Sequence, residues 1–329
     1  MEEESRIASY TAASVFPAKI LANPELMRKI GEEKKIPPFH VQLNPTNHCN
    51  LDCPFCSCSA RDKRLELSHG DIMEMMVKAR MAGCQSVTIT GGGEPLLHHR
   101  IFDVIRGING TGIKIGLVTN GLLLEKVPSE VFSRITWIRI SSGDHRRFPE
   151  MYRKTIEDAV ERGRSVDWSF SHVVTRKPNY ETIRELVKFA NEHAFTHVRI
   201  VSDLLDLDAA RDMGVIKKKL QDAGVDDKMV IYQGRKQYSK GAKKCYISLL
   251  KPVIGADGFI YPCCGTQYAL EKPGRDYEKT MRMGEAKDIS RFYEEQKPFD
   301  GSVCSRCYYN EYNEALKILL SDVQHKVFV

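Results

Sequence analysis

The sequence predicts an α/β fold, a parallel sheet with helices packed outside it, followed by a smaller cysteine-bearing region. Three observations carry this. Six short β-branched apolar runs recur over the first two thirds of the chain, and helical patterns separate them, which is the rhythm of strand–crossover–strand units. Past residue 205 that rhythm stops. Five of the ten cysteines then gather in the last quarter.

The elements follow in order. Residues 1–38 read as a helical preface, with Pro24 at a helix start and Pro37-Pro38 as its end. Strands are expected at Phe39–Leu43, Ser86–Thr90, Lys114–Thr119, Trp137–Ser141, Asp167–Val174 and His197–Ser202. Helices are expected at Ser68–Ala82, His98–Ile108, Pro149–Arg162 and Tyr180–His193, with a shorter crossover near Pro128–Ser133. Ser68 with Asp71 makes an N-cap for the first of these and Gly83 ends it. A helix near Asp206–Asp222 and a strand near Met229–Tyr232 come next. Leu249–Ile254 and Phe259–Tyr261 read as a hairpin about the turn Gly255-Ala256-Asp257-Gly258. Residues 309–325 form a closing amphipathic helix with Tyr312, Leu316, Leu319, Leu320 and Val323 on one face. The expected division is a preface (1–38), a core (39–205), a basic linker (206–244) and a cysteine-bearing domain (245–329).

Composition limits the setting. A chain of 329 residues with 42% hydrophobic and 28% charged residues is ordinary for a soluble globular protein. No stretch approaches the about 18 apolar residues of a membrane span. The acidic start, Met1-Glu2-Glu3-Glu4-Ser5, lacks the features of a secretory signal. Ten cysteines without an export signal indicate a reducing compartment, the cytoplasm, where clustered thiols serve metals more than disulfides. From Lys228 through Ala256 there is no acid, while Lys228, Arg235, Lys236, Lys240, Lys243, Lys244 and Lys251 are basic, with Tyr232, Tyr238 and Tyr246 among them. Such a stretch attracts phosphates or acidic peptides; a solvated Lys/Gly linker is the competing reading.

The chemistry lies in two motifs. Asn47-His48-Cys49-Asn50-Leu51-Asp52-Cys53-Pro54-Phe55-Cys56 spaces three cysteines as Cys-x-x-x-Cys-x-x-Cys on one loop after the first strand. Three thiolates binding a [4Fe–4S] cube leave one iron without a protein ligand; zinc is the alternative, since it accepts similar spacings. Thr90-Gly91-Gly92-Gly93-Glu94-Pro95 follows the second strand, and its glycines let backbone approach a ligand closely. Both motifs, in this order and at these strand ends, resemble the radical S-adenosylmethionine (SAM) superfamily, including the aromatic Phe55 before the third cysteine.

That resemblance implies an open partial (β/α)6 barrel over residues 39–205, with Cys49, Cys53 and Cys56 as ligands and catalytic residues. SAM would chelate the free iron and be split by one electron into methionine and a 5′-deoxyadenosyl radical that takes hydrogen from a substrate. It further implies SAM contacts at Gly92, Gly93 and Glu94, and at Asn120 of Thr119-Asn120-Gly121. Ser141-Ser142-Gly143-Asp144 departs from the family's Ser-Leu-Asp-Gly, which leaves open whether Ser141 or Ser142 makes the contact. Arg153, twelve residues after Ser141, stands where relatives place a carboxylate-binding arginine; an exposed helical arginine is the alternative. Val173, Val174 and Val201 are either an adenine wall or core. A one-electron reductant such as flavodoxin or ferredoxin is an implied partner.

In the last quarter, twelve residues separate Cys245 from Gly258 and four separate Gly258 from Cys263, and Cys304-Ser305-Arg306-Cys307 closes the set. This resembles a shortened SPASM, or twitch, auxiliary domain. The resemblance implies a second [4Fe–4S] cluster on Cys245, Cys263, Cys304 and Cys307, with Cys264 competing for Cys263; a zinc site with four thiolates is the alternative. Cys84 is expected in the core, and Cys58 as a spare, inert thiol, with a hydrogen-atom donor as the alternative. Asp144, His145, His172 and Asp203 are candidates for proton handling. The basic stretch favours a nucleotide, nucleic acid or other anionic substrate, with a peptide or protein as the alternative. A non-catalytic iron–sulfur or zinc binding protein is the reading from another class.

Overall fold

The computed structural model describes residues 16–145, 148–206, 213–234, 239–270 and 277–324. Arg235, Lys236 and Tyr238 of the basic stretch lie outside them, as do residues 1–15, 207–212 and 325–329.

Seven strands run parallel in sequence order: β1 (His40–Leu43), β2 (Ser86–Ile89), β3 (Lys114–Thr119), β4 (Trp137–Gly143), β5 (Asp167–Val174), β6 (His197–Ser202) and β7 (Val230–Gln233). On the other edge of β1 lie β8 (Val253–Ile254), parallel to it, then β9 (Phe259–Tyr261) and β10 (Gly284–Glu285), each antiparallel to the strand before it. Among the described residues all ten strands form one sheet, ordered β10-β9-β8-β1-β2-β3-β4-β5-β6-β7.

Alternation along the strands separates two environments. Side chains point to opposite faces in turn, and Val41, Leu43, Val87, Ile89, Ile138 and Ile140 are buried beneath the helices. Each fully buried side chain of this kind contributes about 1.5–3 kcal/mol. The alternate positions are different: His40, Gln42, Ser86, Thr88, Arg139 and Ser141 stay partly open to solvent. The sheet therefore has a dry outer face and a polar, accessible inner one. Phe148, Phe170, Phe189 and Phe195 build the outer core around β5, with Phe170 stacked on Phe195 at 4.6 Å between ring centroids.

The crossovers begin and end as local chemistry requires. Ser68 Oγ accepts from the Asp71 N–H at 3.0 Å to start the helix His69–Met81. Gly83 ends that turn with φ +110°. The next helix starts at Ile101 rather than His98, because Pro95–Leu97 forms a 3-10 turn first.

Three expectations change. The strand near Met229–Tyr232, placed in the linker, pairs with β6 as a seventh parallel strand of the sheet. Leu249 and Leu250 belong to a helical turn, Ile247–Leu250, not to the hairpin. Asn313 explains this from the far end of the chain: its Oδ1 accepts from the Tyr246 N–H at 2.5 Å and its Nδ2 donates to the Lys244 carbonyl. The closing helix ends at Leu320, leaving Val323 outside and 55% exposed. That helix receives the N-terminal helices Phe16–Leu21 and Pro24–Gly31, with Phe16 stacked on Tyr312 at 4.4 Å. No helix among the described residues is long and apolar enough to cross a membrane.

Candidate active site

The long connection after β1 carries Cys49, Cys53 and Cys56 to the C-terminal edge of the sheet, where parallel α/β folds collect ligands. A buried cation holds the loop from within. Arg61 donates from Nε to the Asn47 carbonyl (3.0 Å) and from one terminal nitrogen to the Cys58 carbonyl (2.6 Å) and toward Cys56 Sγ (3.6 Å). The Cys56 thiol is drawn down to about 6 by a hydrogen bond from Cys58 and by the Arg61 charge, against the opposing effect of burial. An electropositive setting of this kind favours thiolate.

The glycine run locks onto the cysteine loop. The Gly93 N–H donates to the Thr46 carbonyl (3.0 Å) and the Glu94 N–H to that of His48 (2.7 Å). A Cβ on Gly92 would lie 1.8 Å from Asn47 Oδ1, and one on Gly93 1.9 Å from the His48 carbonyl oxygen. Only glycine permits this approach. Phe55 reaches the end of β4, where a Cβ on Gly143 would stand 2.2 Å from its ring; His145 meets the ring edge-on at 5.0 Å.

Glu94 is buried, and its carboxylate faces the end of β3. It accepts from Thr119 Oγ1 (2.6 Å), the Asn120 N–H (2.7 Å) and the Leu96 N–H (3.1 Å). Asn120 Nδ2 donates to Asn50 Oδ1 at 2.7 Å, tying β3 back to the cysteine loop. Strand alternation separates the two serines: Ser141 shares the open face with Arg139, whereas Ser142 is buried with Ile138 and Ile140. The Arg153 guanidinium lies over the Phe148 and Phe189 rings, at 5.6 and 5.9 Å. Val174 and Val201 are buried. Asp144 accepts from the buried His172 (2.9 Å) and from the Thr175 and Asn179 N–H groups. Burial alone would raise its pKa, but these bonds hold it below the usual range. Burial raises that of Asp203.

The distal cysteines gather on loops stitched by backbone bonds. The Cys245 N–H donates to the Phe299 carbonyl, and the Gly241 N–H to that of Cys304, both at 2.9 Å. Cys263 feels Cys264, Cys245 and Cys304, while Cys245 feels Cys307 and Cys304. Burial pushes the Cys245 thiol up to about 12 and that of Cys304 to about 11, so a metal here binds with release of protons. Cys264 has its own partner, Tyr309 Oη at 2.8 Å. Cys58 is engaged as well. Its sulfur lies 2.9 Å from Gln267 Oε1, to which the Ser57 hydroxyl donates at 3.3 Å, and so the two cysteine regions are tied together. A cavity between them is lined by Asn44, Asn47, Arg61, Cys263, Cys264 and Gln267, among others.

Among the described residues, Glu66, His98 and His99 are the one set of three His, Cys, Asp or Glu ligand atoms within 4.8 Å of each other. Both His98 ring nitrogens are already bonded, to the Leu67 carbonyl and the Arg100 N–H. Neither cysteine set draws its sulfurs that close. A tetrahedral zinc with about 2.3 Å Zn–S bonds requires sulfurs about 3.8 Å apart, whereas a cube binds each thiolate at a different corner and holds them wider.

Residues 43–190 match the family model of the Radical SAM superfamily. These residues, 148 of the chain's 329, carry a radical SAM domain. It is 26% identical over 227 residues to a probable GTP 3′,8-cyclase of Methanothermobacter thermautotrophicus, a match covering 64% of this chain and 73% of that one. To the molybdenum cofactor biosynthesis protein moc-5 of Caenorhabditis elegans it is 30% identical over 152 residues, 41% of this chain but 25% of the relative. Its fold is similar to that of Streptococcus suis SuiB bound to precursor peptide SuiA, with a TM-score of 0.60 at 19% identity, covering 89% of this chain and 77% of that one.

Proposed function

We propose that this protein reductively cleaves SAM at a [4Fe–4S] cluster on Cys49, Cys53 and Cys56 and abstracts hydrogen from a phosphate-bearing nucleotide. The observation that carries the reading is the joining of the cysteine loop to Gly92, Gly93 and Glu94 at the mouth of a hollow, polar sheet face. A [4Fe–4S] cluster held by Cys49, Cys53 and Cys56 would supply one-electron reduction of the SAM sulfonium. The protein's own residues orient the cofactor. Gly92 and Gly93 offer backbone close to SAM, Phe55 covers the third cysteine, and Asn120 and Ser141 flank the ribose side. Glu94 acts mainly by bracing Asn120. Ser142 and Arg153 leave the proposed set, because the first is buried on the outer face and the second packs on aromatic rings.

The core spans residues 39–205 in this reading, and residues 245–329 form an auxiliary domain. Cys245, Cys263, Cys304 and Cys307 would hold its second [4Fe–4S] cluster; the bond between Cys264 and Tyr309 Oη supports Cys263 over Cys264. Four thiolate ligands would close such a cluster to substrate and suit it to electron transfer. Flavodoxin or ferredoxin chemistry delivers the first electron, and the cytoplasm supplies the reducing setting. The nucleotide is favoured by the GTP named for the curated relatives and by the cations on the inner face.

Anaerobically purified protein should be brown, carry about eight irons, and release 5′-deoxyadenosine from SAM and dithionite. Deuterated guanosine and adenosine nucleotides should pass deuterium into 5′-deoxyadenosine. Transfer from peptides and not from nucleotides would overturn the substrate reading; a colourless protein would overturn the chemistry.

A further inference from the structure

The inner face of the sheet carries a second charged constellation, away from the cysteine loop. Arg139 of β4 is in register with Ser169 of β5, and Ser169 with His197 of β6, so the three share one inward layer. Arg199 stands one layer nearer the C-terminal edge. Lys251, just before β8, and Lys19, from the first helix, complete the group with His40 of β1. The cations act on one another and on the neutral His40: Lys251 and Arg139 on Lys19, and Lys251 and Lys19 on His40.

Among the described residues Lys19, Arg139 and Lys251 have no ion-pair partner, and Arg139 Nε is buried without a hydrogen-bond partner. The guanidinium carbon lies over the Trp137 ring, 5.1 Å from its centroid. Trp137 itself lies across Gly116, where a Cβ would come within 2.1 Å of the indole. Gathering like charges at one place is costly unless a counter-charge joins them. A guanidinium with open donors matches phosphate oxygens.

We propose that Arg139, Lys251 and Lys19 form a polyphosphate subsite on the inner face, holding the anionic end of the substrate below the SAM pocket. This rests on the nucleotide reading above. Arg139 precedes Ser141 by two residues, about 7 Å along the strand. The phosphates therefore lie at the Trp137 layer while the nucleoside extends toward Ser141 and the cysteine loop.

The test uses the reconstituted holoenzyme and inorganic tripolyphosphate at constant ionic strength, followed by calorimetry. The chain has two tryptophans, so Trp168→Phe leaves Trp137 as a fluorescent reporter for a second measurement. Saturable binding is expected, weakened at least tenfold in Arg139→Gln and in Lys251→Gln and unchanged in Lys188→Gln on an outer helix. Both glutamine variants should unfold at the same or a higher temperature than the parent when no anion is added, since each removes a repelling charge. Lys19→Gln, on an exposed helical position, provides a third variant if either fails to fold. Absence of saturable binding, or equal affinity in all variants, overturns the subsite. Tripolyphosphate binding that these variants weaken, together with deuterium transfer from peptides alone, overturns the nucleotide reading and leaves the anion site standing.

Discussion

The Glu94 carboxylate accepts the backbone N–H of Asn120 at 2.7 Å, so a residue of the glycine run fixes the end of the next strand. Glu94→Gln keeps the size and loses one acceptor, placing an amide N–H against the Thr119 hydroxyl or the Asn120 N–H. A buried, charge-assisted hydrogen bond is lost and a donor is left unsatisfied, at about 1–3 kcal/mol. Urea denaturation should register that loss, and SAM should bind more weakly by equilibrium dialysis. Unaltered stability with weakened SAM binding would mean that Glu94 acts on the cofactor directly.

Alanine at Cys49, Cys53 or Cys56 should remove about half of about eight irons and abolish 5′-deoxyadenosine formation. Alanine at Cys245, Cys263, Cys304 or Cys307 should remove the other half and leave SAM binding intact. Cys264→Ala should keep the full complement, because its thiol is committed to Tyr309. Iron analysis with electron paramagnetic resonance reads all three cases; zinc recovered in place of the second four irons would falsify the auxiliary cluster.

Gly143→Ala drives a methyl to 2.2 Å from the Phe55 ring, and Gly93→Ala drives one to 1.9 Å from a backbone oxygen. A side chain can rotate away and a paired backbone cannot. The first substitution should cost about 1–3 kcal/mol with the cluster still assembled. The second should yield protein with little iron at the first site. Equal cluster occupancy in both would contradict the tight joint between the loops.

His197 is buried beside Arg139 and Arg199, and burial together with those charges brings its pKa to about 3; burial and Lys251 hold His40 well below its ordinary value. Both are neutral in the folded chain. Below pH about 6.5 the unfolded chain takes up protons that the folded one refuses, so stability present above that pH drains away as pH falls toward 3. The loss approaches about 1.4 kcal/mol per pH unit for each histidine. Denaturation midpoints followed from pH 7.5 to 5 should fall less steeply in His197→Gln than in the parent, and matching slopes would remove His197 from the account.

The strands were legible because each is a compact β-branched run bounded by turn residues, and β3, β5 and β6 begin and end where the pattern places them. The cysteine loop and the glycine run were legible because their spacing alone is distinctive. What the pattern does not hold is pairing between distant segments. Nothing near Leu249 announces that Asn313 will bend it into a helical turn. The Glu94 carboxylate likewise turns toward Asn120 through a register set by β2 and β3 together. Arg139 was readable in principle, as an inward position on an alternating strand, but its like-charged company comes from Lys19 and Lys251, far off in sequence.

The pairing of Val253–Ile254 with Gln42–Leu43 has a consequence for biogenesis. Contacts so remote in sequence close late, because a long loop must be ordered before it is rewarded. During synthesis β1 has β2 on one side and a bare hydrogen-bonding edge on the other until the last quarter of the chain emerges. Such an edge is a template for wrong partners. Truncation after β7 should therefore give a core that associates with itself, and iron loading of the first loop should be most efficient once translation is complete.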